Sequence, residues 1–242
     1  MMLGKTGKPV LTSLALALFC APWTAFAMDH HEASPSVSCK EIPISPDAME
    51  GVRDEPVSVP GEYNNIARST KTVMTIEALG GAAVCFSVID WNVVEQFWIS
   101  GDGRFFGFHT YGMEADGHHV IDRARSGAIL ATGVRPVFSD DATMFASAQR
   151  TGAGWGNLEG LGIWKIDPDG TQMVYEFTNG LLEGLDWRID NWVGNNEIRL
   201  TVASSAAVVA SDLSFEEELE QAERLSYRLI DRGSGWKLEE IE

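Results

Sequence analysis

Positive charge is scarce in this chain: 18 Lys and Arg stand against 35 Asp and Glu among 242 residues, a formal net charge of −17. A surface so acidic repels phosphate backbones and anionic membranes, which argues against nucleic-acid or lipid binding and favours basic partners. Long apolar runs are also lacking. Beyond the first 27 residues no stretch reaches the roughly 20 apolar residues that a bilayer-spanning helix needs. Catalytic signatures are missing too, since there is neither a nucleophile elbow nor a zincin helix. Gly4-Lys5-Thr6-Gly7-Lys8 mimics a phosphate loop but has the wrong spacing and no preceding strand, and Gly152-Ala153-Gly154-Trp155-Gly156 lacks the βαβ unit of a dinucleotide site. Asp167-Pro168-Asp169-Gly170 offers two carboxylates without the rest of a calcium loop and reads as a turn.

The start of the chain reads as an address. Lys5 and Lys8 precede an apolar run from Leu11 to Cys20, and Ala25-Phe26-Ala27 supplies the small-x-small site of a signal peptidase. Residues 1–27 are therefore expected to be a cleaved leader, with a mature chain beginning at Met28 and carrying a net charge of −19 once the two lysines are gone. The short basic leader and the absence of any Asn-x-Ser/Thr acceptor point to the periplasm. Phe19 precedes Cys20 where a lipoprotein would need a small residue, so no lipid anchor is expected.

Only three cysteines occur, and Cys20 leaves with the leader. The remaining pair, Cys39 and Cys85, is expected to form a disulfide in an oxidising compartment, worth about 4 kcal/mol in the chain-entropy model. The alternative is two thiols, one of them buried in Ala82-Ala83-Val84-Cys85-Phe86. Residues 28–63 contain Pro35, Pro43, Pro46, Pro56 and Pro60, a density that forbids a regular helix and predicts an extended arm.

Residues 64–242 read as one all-β domain organised by an internal repeat. An apolar pair, a small residue and an acid or amide turn lead into a strand at Trp98-Ile99-Ser100-Gly101-Asp102-Gly103, at Val137-Phe138-Ser139-Asp140-Asp141 and at Trp192-Val193-Gly194-Asn195-Asn196. A second hairpin follows each, marked by Val120-Ile121-Asp122, Lys165-Ile166-Asp167 and Leu229-Ile230-Asp231 before a glycine turn. Val88-Ile89-Asp90 marks a fainter earlier copy. Two hairpins make an antiparallel four-stranded module. The pattern resembles the blade repeat of β-propellers, both the serine-acid turn of TolB-like repeats and the strand-Asp-turn-Gly-strand element of WD40-like blades. The resemblance implies a propeller-like fold of three to four blades. A two-sheet β-sandwich is the alternative. Ser214-Phe215-Glu216-Glu217 resembles a capping box, so a short helical insertion is expected over 214–224.

Candidate sites are few. The glycine-rich loop around Trp155 and Asn157, together with Trp187 and Arg188 near a second turn, could form an aromatic and amide surface for a partner. Adjacent His118 and His119 should point to opposite faces of a strand and so cannot share a metal. Cleavage after Ala27 would place His30 third from a free amine, so Met28, Asp29 and His30 offer a square-planar Cu(II) or Ni(II) site; no other cofactor is implied. The expectation is an exported, non-enzymatic module binding an envelope protein or peptide. Two alternatives stand beside it: an envelope hydrolase using turn carboxylates such as Asp102, Asp140 and Asp186, and metal binding at the Met28 start.

Overall fold

A computed structural model describes residues 39–43, 53–112, 116–148, 158, 160–177, 184–204, 217 and 220–241. The chain divides after Ala33, and every described residue belongs to the unit Ser34–Glu242. Residues 1–38, which hold the expected leader and the Met28-Asp29-His30 site, lie outside the described residues.

Among the described residues, fifteen strands follow a 3-10 turn at Gly61–Tyr63. They are β1 (Ala67–Ser69), β2 (Val73–Glu77), β3 (Ala83–Ser87), β4 (Val93–Ile99), β5 (Phe105–Tyr111), β6 (Asp116–Asp122), β7 (Ala128–Thr132) and β8 (Val137–Phe138). After these come β9 (Met144–Ala148), β10 (Leu161–Asp167), β11 (Gly170–Phe177), β12 (Gly184–Val193), β13 (Glu197–Ser204), β14 (Arg224–Asp231) and β15 (Trp236–Ile241). They form four antiparallel sheets, β1-β2-β3, β4-β5-β6-β7, β8-β9-β10-β11 and β12-β13-β14-β15, each pairing only neighbours in sequence. The modular all-β reading therefore holds, and the sandwich alternative fails because the strands separate into four sheets instead of two.

The repeat is visible in the hydrogen bonds of its turns. Between β4 and β5, the Ser100 hydroxyl donates to Asp102, the Arg104 amide donates to the same carboxylate, and the Phe105 amide donates to Ser100 Oγ. Between β8 and β9, Ser139, Asp141, Thr143 and Met144 repeat all three bonds. A serine and an acid two residues apart thus close the hairpin in both modules. The β10–β11 connection is a plain Asp167-Pro168-Asp169-Gly170 turn, as expected.

Two departures from the sequence reading, in the first sheet and in the insertion, have local causes. Val88-Ile89-Asp90 does follow the third strand of the first sheet, but the next strand, β4, pairs with β5, so that sheet ends with three strands. The expected insertion is helical at Glu217, Glu220 and Gln221 but does not reach Arg224, which opens β14 and pairs with Ala203. Its residues 214–216 and 218–219 lie outside the described residues. The N-terminal arm, where described, wraps: Cys39 is disulfide-bonded to Cys85, the Ile42 amide donates to Thr72, and Val57 joins the core of the first two sheets.

The sheets pack in chain order. One core joins the first and second, a second core joins the second and third, and a third joins the third and fourth. Polar groups latch the same junctions. Arg123 donates to the Glu77 and Gly103 carbonyls at the first junction. At the second, Arg104 clamps buried Asp122 with two hydrogen bonds of 2.8 and 2.9 Å and donates to the Asp167 carbonyl of the next sheet. Thr171 of β11 donates to the same carboxylate at 2.7 Å. At the third, Trp192 Nε1 donates to the Val137 carbonyl at 2.8 Å.

Asp122→Ala is expected to destabilise the protein by about 3 kcal/mol, because Arg104 and Thr171 lose their acceptor in a water-poor junction. Asp169→Ala, which breaks the exposed pair with Arg125, should cost less than about 1 kcal/mol. Urea denaturation of the two variants measures both; equal small losses would show that the junction does not depend on the latch.

Candidate functional site

The second junction also carries a cleft with a volume of about 650 Å³. One wall is the end of β4 and its turn, from Trp98 to Asp102; the facing wall is Arg135, Pro136 and Phe138 at β8 and the turn residues Asp141 and Ala142. Its position follows from proline chemistry. Pro136 has no amide proton, so the ladder of β8 cannot extend back through it, and the strand is two residues long where β4 has seven. The Ser147 hydroxyl satisfies Val134 instead, donating to its carbonyl and accepting from its amide. The segment before β8 is thereby released to line a cleft.

Trp98 is set by three constraints. β4 carries a bulge between Glu95 and Trp98, with Gln96 in the left-handed region at φ 53°, which re-aims the indole. Opposite it stands Gly107, where a Cβ would lie 2.3 Å from the ring, so only glycine leaves space for the indole. Trp98 Nε1 then donates to buried His118 Nε2 at 2.7 Å. On the cleft side the guanidinium of exposed Arg135 sits 4.9 Å from the Trp98 ring centroid. Half-buried Phe138 packs 5.4 Å from Phe105 and 6.3 Å from Trp98 between ring centroids, giving the cleft an aromatic floor.

The charges are arranged unevenly. Asp102 is held below the usual carboxylate range by the Ser100 hydrogen bond, and Asp141 by the Thr143 amide, so both rim acids stay ionised. Burial works to raise the Asp122 carboxyl, but Arg104, the Ala124 amide and Thr171 outweigh it and hold it low. Arg104 is consumed by that pairing. Arg135 makes no hydrogen bond or ion pair among the described residues.

No family model, curated protein or solved structure matches this chain. The function has to be read from the residues themselves.

The sequence-predicted sites fare unevenly. Trp155 and Asn157 lie outside the described residues. Trp187 is corrected: it is only 7% exposed and packs in the core of the third and fourth sheets, 6.2 Å from Phe177, because β12 turns it inward. Arg188 is also engaged, pairing with buried Asp186 and exposed Glu220. Asp186 lies within β12 instead of at a module turn, held between Arg188 and Arg224. Asp102 serves its turn, and Asp141 does the same in the module where Asp140 had been considered. Cys39 and Cys85 are bonded, with Cα atoms 5.3 Å apart. Among the described residues no group of three or more His, Cys, Asp or Glu is placed to hold a metal, and no helix is long and apolar enough to cross a membrane.

Sequence reasoning missed the cleft because it assigned Trp98 and Phe138 to strand ends and passed over Arg135. The available signal was Arg135-Pro136, a cation and a strand breaker next to a repeat start in an acidic chain.

His118 and His119 do face opposite ways, the first toward Trp98 and the second against Phe86 and Phe108. Burial pushes the imidazoles down to about 3 and about 4 respectively, with nearby His109 adding to both effects. The unfolded chain binds protons near pH 6.5 that the folded chain refuses, so stability is complete above that pH and falls toward pH 4. Each histidine contributes a slope approaching about 1.4 kcal/mol per pH unit in that window. The buried carboxylates Asp122 and Asp186 act only below their ordinary value of 3.8. Melting temperature is therefore expected to fall between pH 6.5 and 4.5. His118→Gln, which keeps an acceptor for Trp98, should flatten the fall; an unchanged slope would assign it elsewhere.

Proposed function

We propose that this chain is an exported, non-enzymatic binding module of the cell envelope, and that it takes a peptide or a segment of a partner protein in the cleft between its second and third sheets. The observation that carries the reading is Arg135 stacked on Trp98 above an aromatic floor, with its guanidinium uncommitted. Ligand sites combine an apolar floor with a few placed polar groups, and Trp and Arg are the residues most enriched where binding energy concentrates. Export is supported by the leader-like start and by the Cys39–Cys85 bond, which suits an oxidising compartment such as the periplasm.

The test is a selection of displayed random peptides on the purified protein, followed by affinity measurement. Gly101→Tyr is the informative variant, since Gly101 is exposed on the cleft rim, lies outside the left-handed region and has open space around an added Cβ, so a larger side chain there narrows the mouth without strain. Selected peptides should lose at least about tenfold in affinity, some 1.4 kcal/mol, while the melting temperature stays within a degree or two. Peptides that ignore the blocked cleft would remove the assigned site. Trp187→Ala cannot serve here, because truncating a core Trp costs about 3–5 kcal/mol in stability.

A further inference from the structure

We propose that the cleft reads a single carboxylate on its peptide: the acid pairs with the edge of the Arg135 guanidinium, and an adjacent apolar side chain lies against Phe138 and Ile166. This rests on the peptide-binding reading above and specifies its chemistry.

The first support is a census of arginines. Among the described residues every arginine except Arg68 and Arg135 is engaged, by carbonyls in the case of Arg53 and Arg123 and by carboxylates in the others. That is what an excess of acid predicts. In such a chain an arginine left unneutralised inside a cleft of this size is a position kept for an outside anion. Arg68 lines a smaller depression of about 180 Å³ shared with Glu77, without an aromatic side chain in its lining.

The second support is position. The Arg135 guanidinium carbon sits 4.9 Å over the Trp98 ring and spends no hydrogen bond on another described residue, so its N–H donors remain for a ligand, and a carboxylate matches that fork with two parallel hydrogen bonds. Contact with the indole also limits the rotamers available to Arg135, which lowers the entropy lost on pairing.

The third support fixes the kind of anion. Ionised Asp102 and Asp141 stand on the same rim. Both acids repel any anion, and with one arginine to offset them a phosphate approaching −2 meets about twice the net repulsion that a −1 carboxylate does. Half-buried Phe138 and Ile166 beside it call for an apolar neighbour, which a bare small acid lacks and a peptide supplies. The carboxylate can be a C-terminus or an Asp or Glu side chain.

The experiment follows the Trp98 indole N–H resonance of 15N-labelled protein during titration with four peptides. Acetyl-Gly-Gly-Phe is used as the free acid and as the amide; acetyl-Asp-Phe-amide is paired with acetyl-Asn-Phe-amide. At least one acid is expected to bind about tenfold or more tightly than its neutral counterpart, the first pair reporting a C-terminal source and the second a side-chain source. In Arg135→Gln, an exposed and fold-neutral change, that preference should vanish, and inorganic phosphate should not displace the bound acid. Equal binding of acid and neutral peptides would overturn the carboxylate inference and leave the peptide site standing. So would a preference that survives Arg135→Gln, or displacement by phosphate. No shift with any of the four would remove the inference and the peptide-binding cleft together.

Discussion

The Asp122 carboxylate is the constraint on which the middle of this molecule depends. A charge that is 1% exposed cannot remain ionised without donors, and here the donors come from two sheets: Arg104 and the Ala124 amide from the second, Thr171 from the third. Meeting the electrostatic demand of one side chain therefore fixes the distance between two sheets. Arg104 has a second role, since its remaining donor reaches the Asp167 carbonyl. The residue that ends β6 and the residue that ends β10 hold the same place in their modules, and one arginine touches both. The spacing it sets is the spacing across which Trp98 and Phe138 face each other.

The cleft shows how a repeat acquires a site without an insertion. The serine-acid turns on either side are nearly identical in their own hydrogen bonds, each acid holding its hairpin, with Asp141 also accepting from Asn195 of the fourth sheet. What differs is the short run before β8. Pro136 ends the ladder, Ser147 takes over the pairing of Val134, and Arg135 is left to lie across Trp98. Trp98 is in turn immobilised by Gly107 beneath it and His118 at its nitrogen. A buried, neutral histidine and a missing methyl group thus serve as supports for an exposed cation, which favours a site organised before its ligand arrives.

Most of the fold was legible because its signals are local. The six hairpins of the second, third and fourth sheets coincide with the two turn patterns, and Cys39 and Cys85 are joined as their number and setting suggested. The opposite directions of His118 and His119 follow from the two-residue period of a strand. Trp187 was misread for a physical reason: its neighbours Asp186 and Arg188 suggest a polar turn, but Asp186 is buried between two arginines, one of them Arg224, 38 residues away. A carboxylate neutralised by a distant partner looks the same in sequence as one that faces water. The cleft was illegible on similar grounds. Trp98, Arg135 and Phe138 belong to two sheets, and neither repeat pattern says which sheets will meet.

The first sheet marks where the repeat gives way. In the other three, the Asp that ends the third strand turns the chain back into a fourth strand; after Val88-Ile89-Asp90 the chain goes on to the next sheet instead. The third strand, β3, would then keep one side bare, and exposed edges invite pairing with other chains. The described parts of the arm answer this differently from a strand. A covalent bond at Cys85 pins the arm to β3, Arg53 donates to the Trp91 and Asn92 carbonyls in the link that replaces the missing turn, and Val57 enters the core shared by the first two sheets. Trp91 completes the cover, its ring 6.5 Å from Phe86 and 5.5 Å from His119. A proline-rich arm cannot supply a ladder of amides, so its described residues are held by the disulfide, by the Ile42 amide on Thr72, by Arg53 and by buried Val57. That substitution makes the paired cysteines a structural requirement of the first sheet, and it explains why a chain with so few cysteines places one in the middle of β3.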